Sequence, residues 1–157
     1  MDVRFINPFL KSTEHVLKTM AFIEPIAGKP YLKQDQIATG DVSGVIGLTG
    51  DAKGSLALTF MSDCIFAILH NMLGEKYSEI NAEVMDAVGE LTNMISGDAR
   101  KRLEAEGLII NAALPTVISG KNHVIKHVLG GPSIIIPFST AHGMFMVDVC
   151  LENKNKK

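Results

Sequence analysis

Cysteine is nearly absent from this chain, with two in 157 residues, which leaves little room for a disulfide framework. Cys64 (DCIFAIL) and Cys150 (VDVCLEN) both sit among apolar neighbours, so we expect buried, reduced thiols packing as small hydrophobes. Neither sign of charge is in excess. A net charge of −2 and a pI near 6.2 give no general attraction to nucleic acid or to an anionic membrane surface. Long apolar runs are missing too: none approaches the roughly 18 residues of a membrane span. The opening MDVRFINPFLKSTEHV interrupts its apolar residues with charges, so it has no signal-peptide hydrophobic region. A soluble cytoplasmic protein with no nucleic-acid or membrane partner is the expectation.

Several chemical motifs are also lacking. GLTGDAKGS has no terminal Lys-Ser or Lys-Thr, which removes the phosphate-cradling loop of nucleotide-binding proteins, and its glycines suit a turn. TVISGKN lacks the first glycine of a nucleophile elbow. His123 and His127 in HVIKH could share a metal, but no third ligand follows in the zincin pattern. Solvent-facing strand histidines are the simpler account, and no metal site is expected. The eight methionines are scattered, as core filling requires.

What the chain does have is 46% hydrophobic residues, enough for one domain with one sizeable core. We place that domain at residues 1–151 and a solvated tail at 152–157. Apolar residues at three- and four-residue steps predict a helix over 2–20, with Pro8 tolerable near its start. EPIAGKPYL reads as a connector, and 42–60 as a hairpin turning at Gly-Asp-Ala-Lys-Gly. Ser62 can cap a short helix that Gly74 closes. Ser78 or Asn81 can begin a longer helix that runs to about Glu106, where Gly107 stops it. Strand-like segments follow at 123–128, 132–138 and 143–151, with Pro132 and Pro137 suggesting an edge or strand ends. The fold class is α+β, with helices packed on a largely antiparallel sheet. A shift of 85 residues lays one half on the other as a possible internal repeat, placing Phe5 on Glu90, Pro8 on Asn93 and Pro30 on Pro115.

The long helix is the informative element. Val84, Val88, Leu91, Ile95, Ala99 and Leu103 fall on one side and form its core face. Asp86, Glu90, Asn93, Gly97 and Glu104 fall near the other. Gly97 costs a helix interior about 1 kcal/mol relative to Ala, and Asn93 several tenths. No i,i+4 acid-to-base pair supports Asp86, Glu90 or Asn93. An ordinary wet helix surface is the first reading of such a stripe; a docking surface flattened at Gly97 is the second, and these choices speak for it.

Asp86, three residues, Glu90, two residues, Asn93 and then 21 residues to Pro115 resembles the signature of the CheC, CheX and FliY phosphatases of bacterial chemotaxis. That signature is Asp or Ser, three residues, Glu, two residues, Asn, about 22 residues and Pro. GELTNMISGDARKRLEAEG followed by LPTVISG, the opening helix, GKP at 28–30 and VIGLTGDAKGSLALTF together resemble the CheX branch. CheC-type members carry two motifs. Here Phe5 and Pro8 stand in the first copy, which implies a single, CheX-like site in the second.

The resemblance implies a CheC-like fold and hydrolysis of the phosphoaspartate of a CheY-like response regulator. Glu90 would pair with the regulator's lysine, and Asn93 would orient the attacking water, since a carboxamide both donates and accepts. Mg²⁺ would come with the regulator, so no cofactor of the chain's own is expected. Asp86 would flank the contact, Gly89 and Gly97 would admit the partner's loops, and Pro115 completes the motif. A homodimer joined through its sheets is also implied. The alternative is a noncatalytic scaffold, related to flagellar-switch adaptors, that binds a regulator through the same helix.

Overall fold

The computed structural model describes residues 3–33, 35, 37–125, 127 and 132–153. A single 3₁₀ turn at Val3–Phe5 leads into α1 (Ile6–Ala21), so Pro8 falls in the first helical turn, where its missing N–H costs nothing. Then come β1 (Ile26–Ala27), β2 (Tyr31–Lys33), β3 (Val42–Gly50), β4 (Ala52–Phe60), α2 (Ser62–Leu73) and α3 (Ala82–Ala105). The chain finishes with β5 (Ile110–Ala112), β6 (Thr116–Ser119), β7 (Ser133–Thr140) and β8 (Gly143–Asn153). All eight strands form one antiparallel sheet in the order β1-β7-β8-β4-β3-β5, with β2 also on β7 and β6 also on β3. Glu152 and Asn153, expected in the tail, instead complete β8 against Lys53 and Ala52, and 154–157 lie outside the described residues.

The sheet order displays the internal repeat. Each half contributes a helix, two short strands and a long hairpin, and the short strands of each half pair with the long strand of the other. The 85-residue shift lays β1 on β5 and β2 on β6. The two hairpins meet at the centre, where β4 pairs with β8 from Ala52↔Asn153 to Phe60↔Phe145. Sequence reading took 26–33 as a connector because strands of two and three residues are too short to show a period.

Pro137 is not at an edge or strand end, as expected, but inside β7. It lies opposite the break between β1 and β2, where Gly28 donates its N–H to the Pro137 carbonyl at 2.7 Å. A proline fits there because the ladder is already interrupted. Pro115 occupies the equivalent break between β5 and β6, alongside β3.

The three helices cover one face of the sheet: α1 packs on α3 and α2, and α3 on β3, β5 and β6. Phe60, Phe138 and Phe145, all fully buried, stack across β4, β8 and β7 with ring centroids 5.3 and 5.0 Å apart. Cys64 and Cys150 are buried and free, as expected, and burial pushes the Cys64 thiol up to about 11. No helix among the described residues is long and apolar enough to cross a membrane.

Ser62 does not cap α2. It lies in the first turn, and the carboxylate of Asp41 accepts from both its N–H (2.8 Å) and its hydroxyl (2.7 Å). These hydrogen bonds hold the Asp41 carboxyl below its usual range. Gly74 closes α2 in the left-handed region at φ 77°, as its sequence position suggested.

The second face of the sheet corrects the reading of the histidines. Of the proposed strand 123–128, residues 126 and 128 lie outside the described residues, and Val124 makes only an isolated bridge to Ile37. His123 hydrogen-bonds Ser43 Oγ (2.6 Å) and the Gly120 carbonyl (2.7 Å). The His127 side chain, 8% exposed, lies between Ser55 Oγ (2.5 Å) and Asp148 Oδ1 (2.9 Å). Lys33 reaches the other Asp148 oxygen at 3.4 Å. The histidines turn inward because β3, β4 and β8 present the buried polar groups Ser43, Ser55 and Asp148, which offer hydrogen bonds to the imidazole rings. Among the described residues, no three His, Cys, Asp or Glu side chains are grouped to hold a metal.

Candidate functional site

Helix α3 starts where the sequence placed it. Asn81 caps it, its side chain accepting from the Val84 N–H at 2.9 Å, and Gly107 follows its end with φ 89°. Val84, Val88, Leu91, Ile95, Ala99 and Leu103 are all fully buried. Thr92 is buried as well, with its hydroxyl returned to the Val88 carbonyl at 2.8 Å. Beneath it lies Gly44 of β3, where a Cβ would fall onto the Thr92 hydroxyl. This close approach of helix and sheet fixes the depth of the turn that carries Glu90 and Asn93.

The opposite side of α3 emerges as a ridge. Asp86, Glu90 and Glu104 are exposed, and Asn93 and Gly97 partly so. Among the described residues neither Asp86 nor Glu90 has an ion-pair partner; the helix's own i,i+4 pair is Asp98 with Arg102 at 2.8 Å. Burial opposes the ionised form of Asp98, but hydrogen bonds from Arg102 and Ser12 outweigh it and lower the pKa.

Two open grooves flank the ridge, and Asn93 lines both. One, of about 680 Å³, is bounded by Met85, Asp86, Gly89, Glu90, Leu114, Pro115 and Val117. The other, of about 540 Å³, runs between α1, α3 and β5, with His15, Thr19, Met20, Gly97, Arg100, Lys101 and Ile109 on its walls. The residues at their rims include Leu114, Ile109 and Met20, with 88%, 61% and 46% exposure.

Of the sequence-selected residues, Asp86, Gly89, Glu90, Asn93 and Pro115 therefore meet in the first groove, while Gly97 and Glu104 line the second. Gly89 is buried, and a Cβ there would lie 3.5 Å from Val117 Cγ2 and 3.8 Å from Pro115 Cγ. Both distances are ordinary contact, so Pro115 and β6 pack against α3 at Gly89 with space left for a methyl group. Pro115, placed at the break between β5 and β6, forms the wall opposite Glu90. Around Gly97 a Cβ would meet only an Arg100 nitrogen, at 3.8 Å, so the free protein has room for a side chain there.

Sequence reading missed the second groove. Arg100 lies seven residues after Asn93 on the same stripe and was legible at helical spacing; His15, Thr19 and Met20 belong to the exposed side of α1 and carry no local signal. Phe5 and Pro8, the counterparts of Glu90 and Asn93 in the first half, are buried, so that half presents no such ridge.

The chain is similar to known proteins over most of its length. The family model for chemotaxis phosphatase CheX matches residues 42–139. The CheY-P phosphatase CheX of Thermotoga maritima is 32% identical over 127 residues, covering 80% of this chain and 82% of that protein. Among solved structures, a CheC-like superfamily protein from Shewanella sp. PV-4 is 51% identical with a TM-score of 0.89, over 97% of this chain and 99% of the other. The CheX–CheY–BeF₃–Mg²⁺ complex from Borrelia burgdorferi contains a chain 25% identical, TM-score 0.77, over 96% and 99%. The chain belongs to the CheX family of chemotaxis phosphatases.

Proposed function

We propose that this protein hastens hydrolysis of the phosphoaspartate on a CheY-like response regulator. The observation that carries the reading is that Glu90 and Asn93 stand together on the exposed ridge of α3, one turn apart and between two grooves. The partner in the related Borrelia structure is CheY, with BeF₃ and Mg²⁺ in the complex.

In the reaction a water oxygen attacks phosphorus, the bond from phosphorus to the aspartyl oxygen breaks, and a carboxylate and inorganic phosphate leave. Such transfer asks a protein chiefly for positioning and charge balance. Asn93 serves the first: its amide accepts from and donates to the attacking water without changing protonation. Glu90 serves docking, pairing with the regulator's lysine so that Asn93 enters the phosphorylation pocket. The metal belongs to the regulator. Asp86 flanks the contact, Gly89 and Pro115 shape the groove beside Glu90, and Gly97 lets a partner loop approach the helix. The resemblance to the CheX branch further supports a homodimer acting in the cytoplasm; sedimentation should give twice the 17.0 kDa chain mass.

The phosphatase reading favours a catalyst over a bare scaffold because a docking helix needs Glu90 but has no use for an amide in register with it. The test mixes the protein with a phosphorylated CheY-like regulator and follows phosphate loss. Acceleration beyond the regulator's own rate is the expected result; binding with no acceleration would establish the scaffold instead.

A further inference from the structure

We propose that Arg100 is a second charged contact for the docked regulator, taking an anionic oxygen group of the partner beside Asn93; the inference rests on the phosphatase reading above. Arg100 follows Gly97 on the same stripe of α3, and its side chain folds back over the glycine. One terminal nitrogen lies 3.8 Å from where a Gly97 Cβ would be. The guanidinium is thus brought toward the turn that carries Asn93, and both residues line one groove.

Its hydrogen-bonding state is unusual. The Arg100 Nε is buried and has no hydrogen-bond partner among the described residues. The nearby acids do not neutralise it: Asp98 is engaged by Arg102, and Glu104, one turn on, is not within ion-pair distance. Lys101 and His15 add basic groups to the same groove. A guanidinium is always charged and offers a planar fork of donors that fits two oxygens at once. A phosphoaspartate pocket presents that chemistry in two forms, the transferred phosphoryl oxygens and the carboxylates around them.

The experiment measures phosphate release under single-turnover conditions, and binding of phosphorylated and unphosphorylated regulator, for wild type, Arg100→Gln, Arg100→Lys and Asn93→Ala. Hydrogen bonds to charged groups correspond to losses of roughly ten- to a hundredfold. If Arg100 meets the phosphoryl group, Arg100→Gln lowers the rate at saturation by about tenfold or more, leaving affinity for unphosphorylated regulator unchanged. If it meets a carboxylate, affinity for both forms falls by a similar factor and the saturated rate holds. Partial recovery in Arg100→Lys accompanies either result. Should Arg100→Gln fail to fold, Arg100→Met, which keeps the packed stem, takes its place. The inference is overturned if the neutral variant matches wild type within about twofold, below the expected range, in rate and both affinities while Asn93→Ala has lost activity. A wild-type protein that gives no acceleration contradicts the phosphatase reading itself.

Discussion

Gly44 in β3 and Thr92 in α3 touch so closely that the helix rests on the sheet at a glycine, one residue before Asn93. Gly44→Ala would drive a Cβ into the Thr92 hydroxyl and to 3.1 Å from its Cβ, in a fully buried place. Overpacking of this kind costs about 1–3 kcal/mol. We expect a lower thermal midpoint for Gly44→Ala, and partial recovery when Thr92→Ala removes the hydroxyl. A double-mutant cycle in which the two losses simply add would contradict the contact.

Gly97 has the opposite character. A Cβ there finds ordinary contact in the free protein, so Gly97→Ala should stabilise by up to about 1 kcal/mol through helix propensity, raising the midpoint by about 2–4 °C. If a partner loop approaches the helix at this point, the same change weakens regulator binding. Thermal melting and a binding titration on one sample check both halves. A more stable variant with unaltered binding would remove Gly97 from the interface.

These two glycines also show what the sequence could convey. The period of α3, its Asn81 cap, its buried face and its polar stripe were readable because each depends on neighbours within a few turns. The short strands β1, β2, β5 and β6 were not, since their pairing partners lie far along the chain. Nor was the cap of α2, where Asp41 acts across 21 residues, or the inward turn of His123 and His127. At the site, Asn93 and Gly97 were visible as helix residues of the wrong kind for stability, and Glu90 by its spacing from Asn93 and its lack of an i,i+4 base. The groove walls supplied by α1 emerge only from packing.

Asp148 gives the fold an acid sensitivity. Burial favours its neutral form, yet the hydrogen bond and charge of His127, with Ser133 and Lys33, hold its carboxyl below the usual carboxylate range. A depressed folded pKa means the contribution to stability is present above the unfolded value and is lost as pH falls through the folded one. Asp41 acts in the same sense. Stability should therefore drop as pH is lowered below about 4. Asp148→Asn should flatten that drop, and at neutral pH should destabilise by about 3–5 kcal/mol, because Lys33 loses its buried counter-charge and His127 its carboxylate partner. Denaturant titrations from pH 3 to pH 7 would read both; an unchanged pH slope in the variant would contradict the assignment.

The thiols should be silent until the chain unfolds. Cys64 is fully buried with its pKa near 11, and Cys150 is 3% exposed and also raised. A thiol reagent at pH 8 is expected to label neither in the native protein and both in denaturant, because the thiolate is the reacting form. Fast native labelling of either would contradict the packing.

In the proposed mechanism Glu90 and Asn93 divide their work between docking and chemistry. Glu90→Ala should weaken regulator binding by about tenfold or more through loss of a charge-assisted contact, lowering turnover with it. Raised salt should narrow the difference from wild type, since the lost attraction is partly screened. Equal affinities at low salt would exclude the ion pair.

The most direct measurement is the dephosphorylation rate of a phosphorylated CheY-like regulator at saturating wild-type protein and at saturating Asn93→Ala. If Asn93 positions the attacking water, the variant binds as wild type does but loses about a hundredfold or more of the stimulated rate, approaching the regulator's own. Full acceleration by Asn93→Ala would contradict the account at its centre.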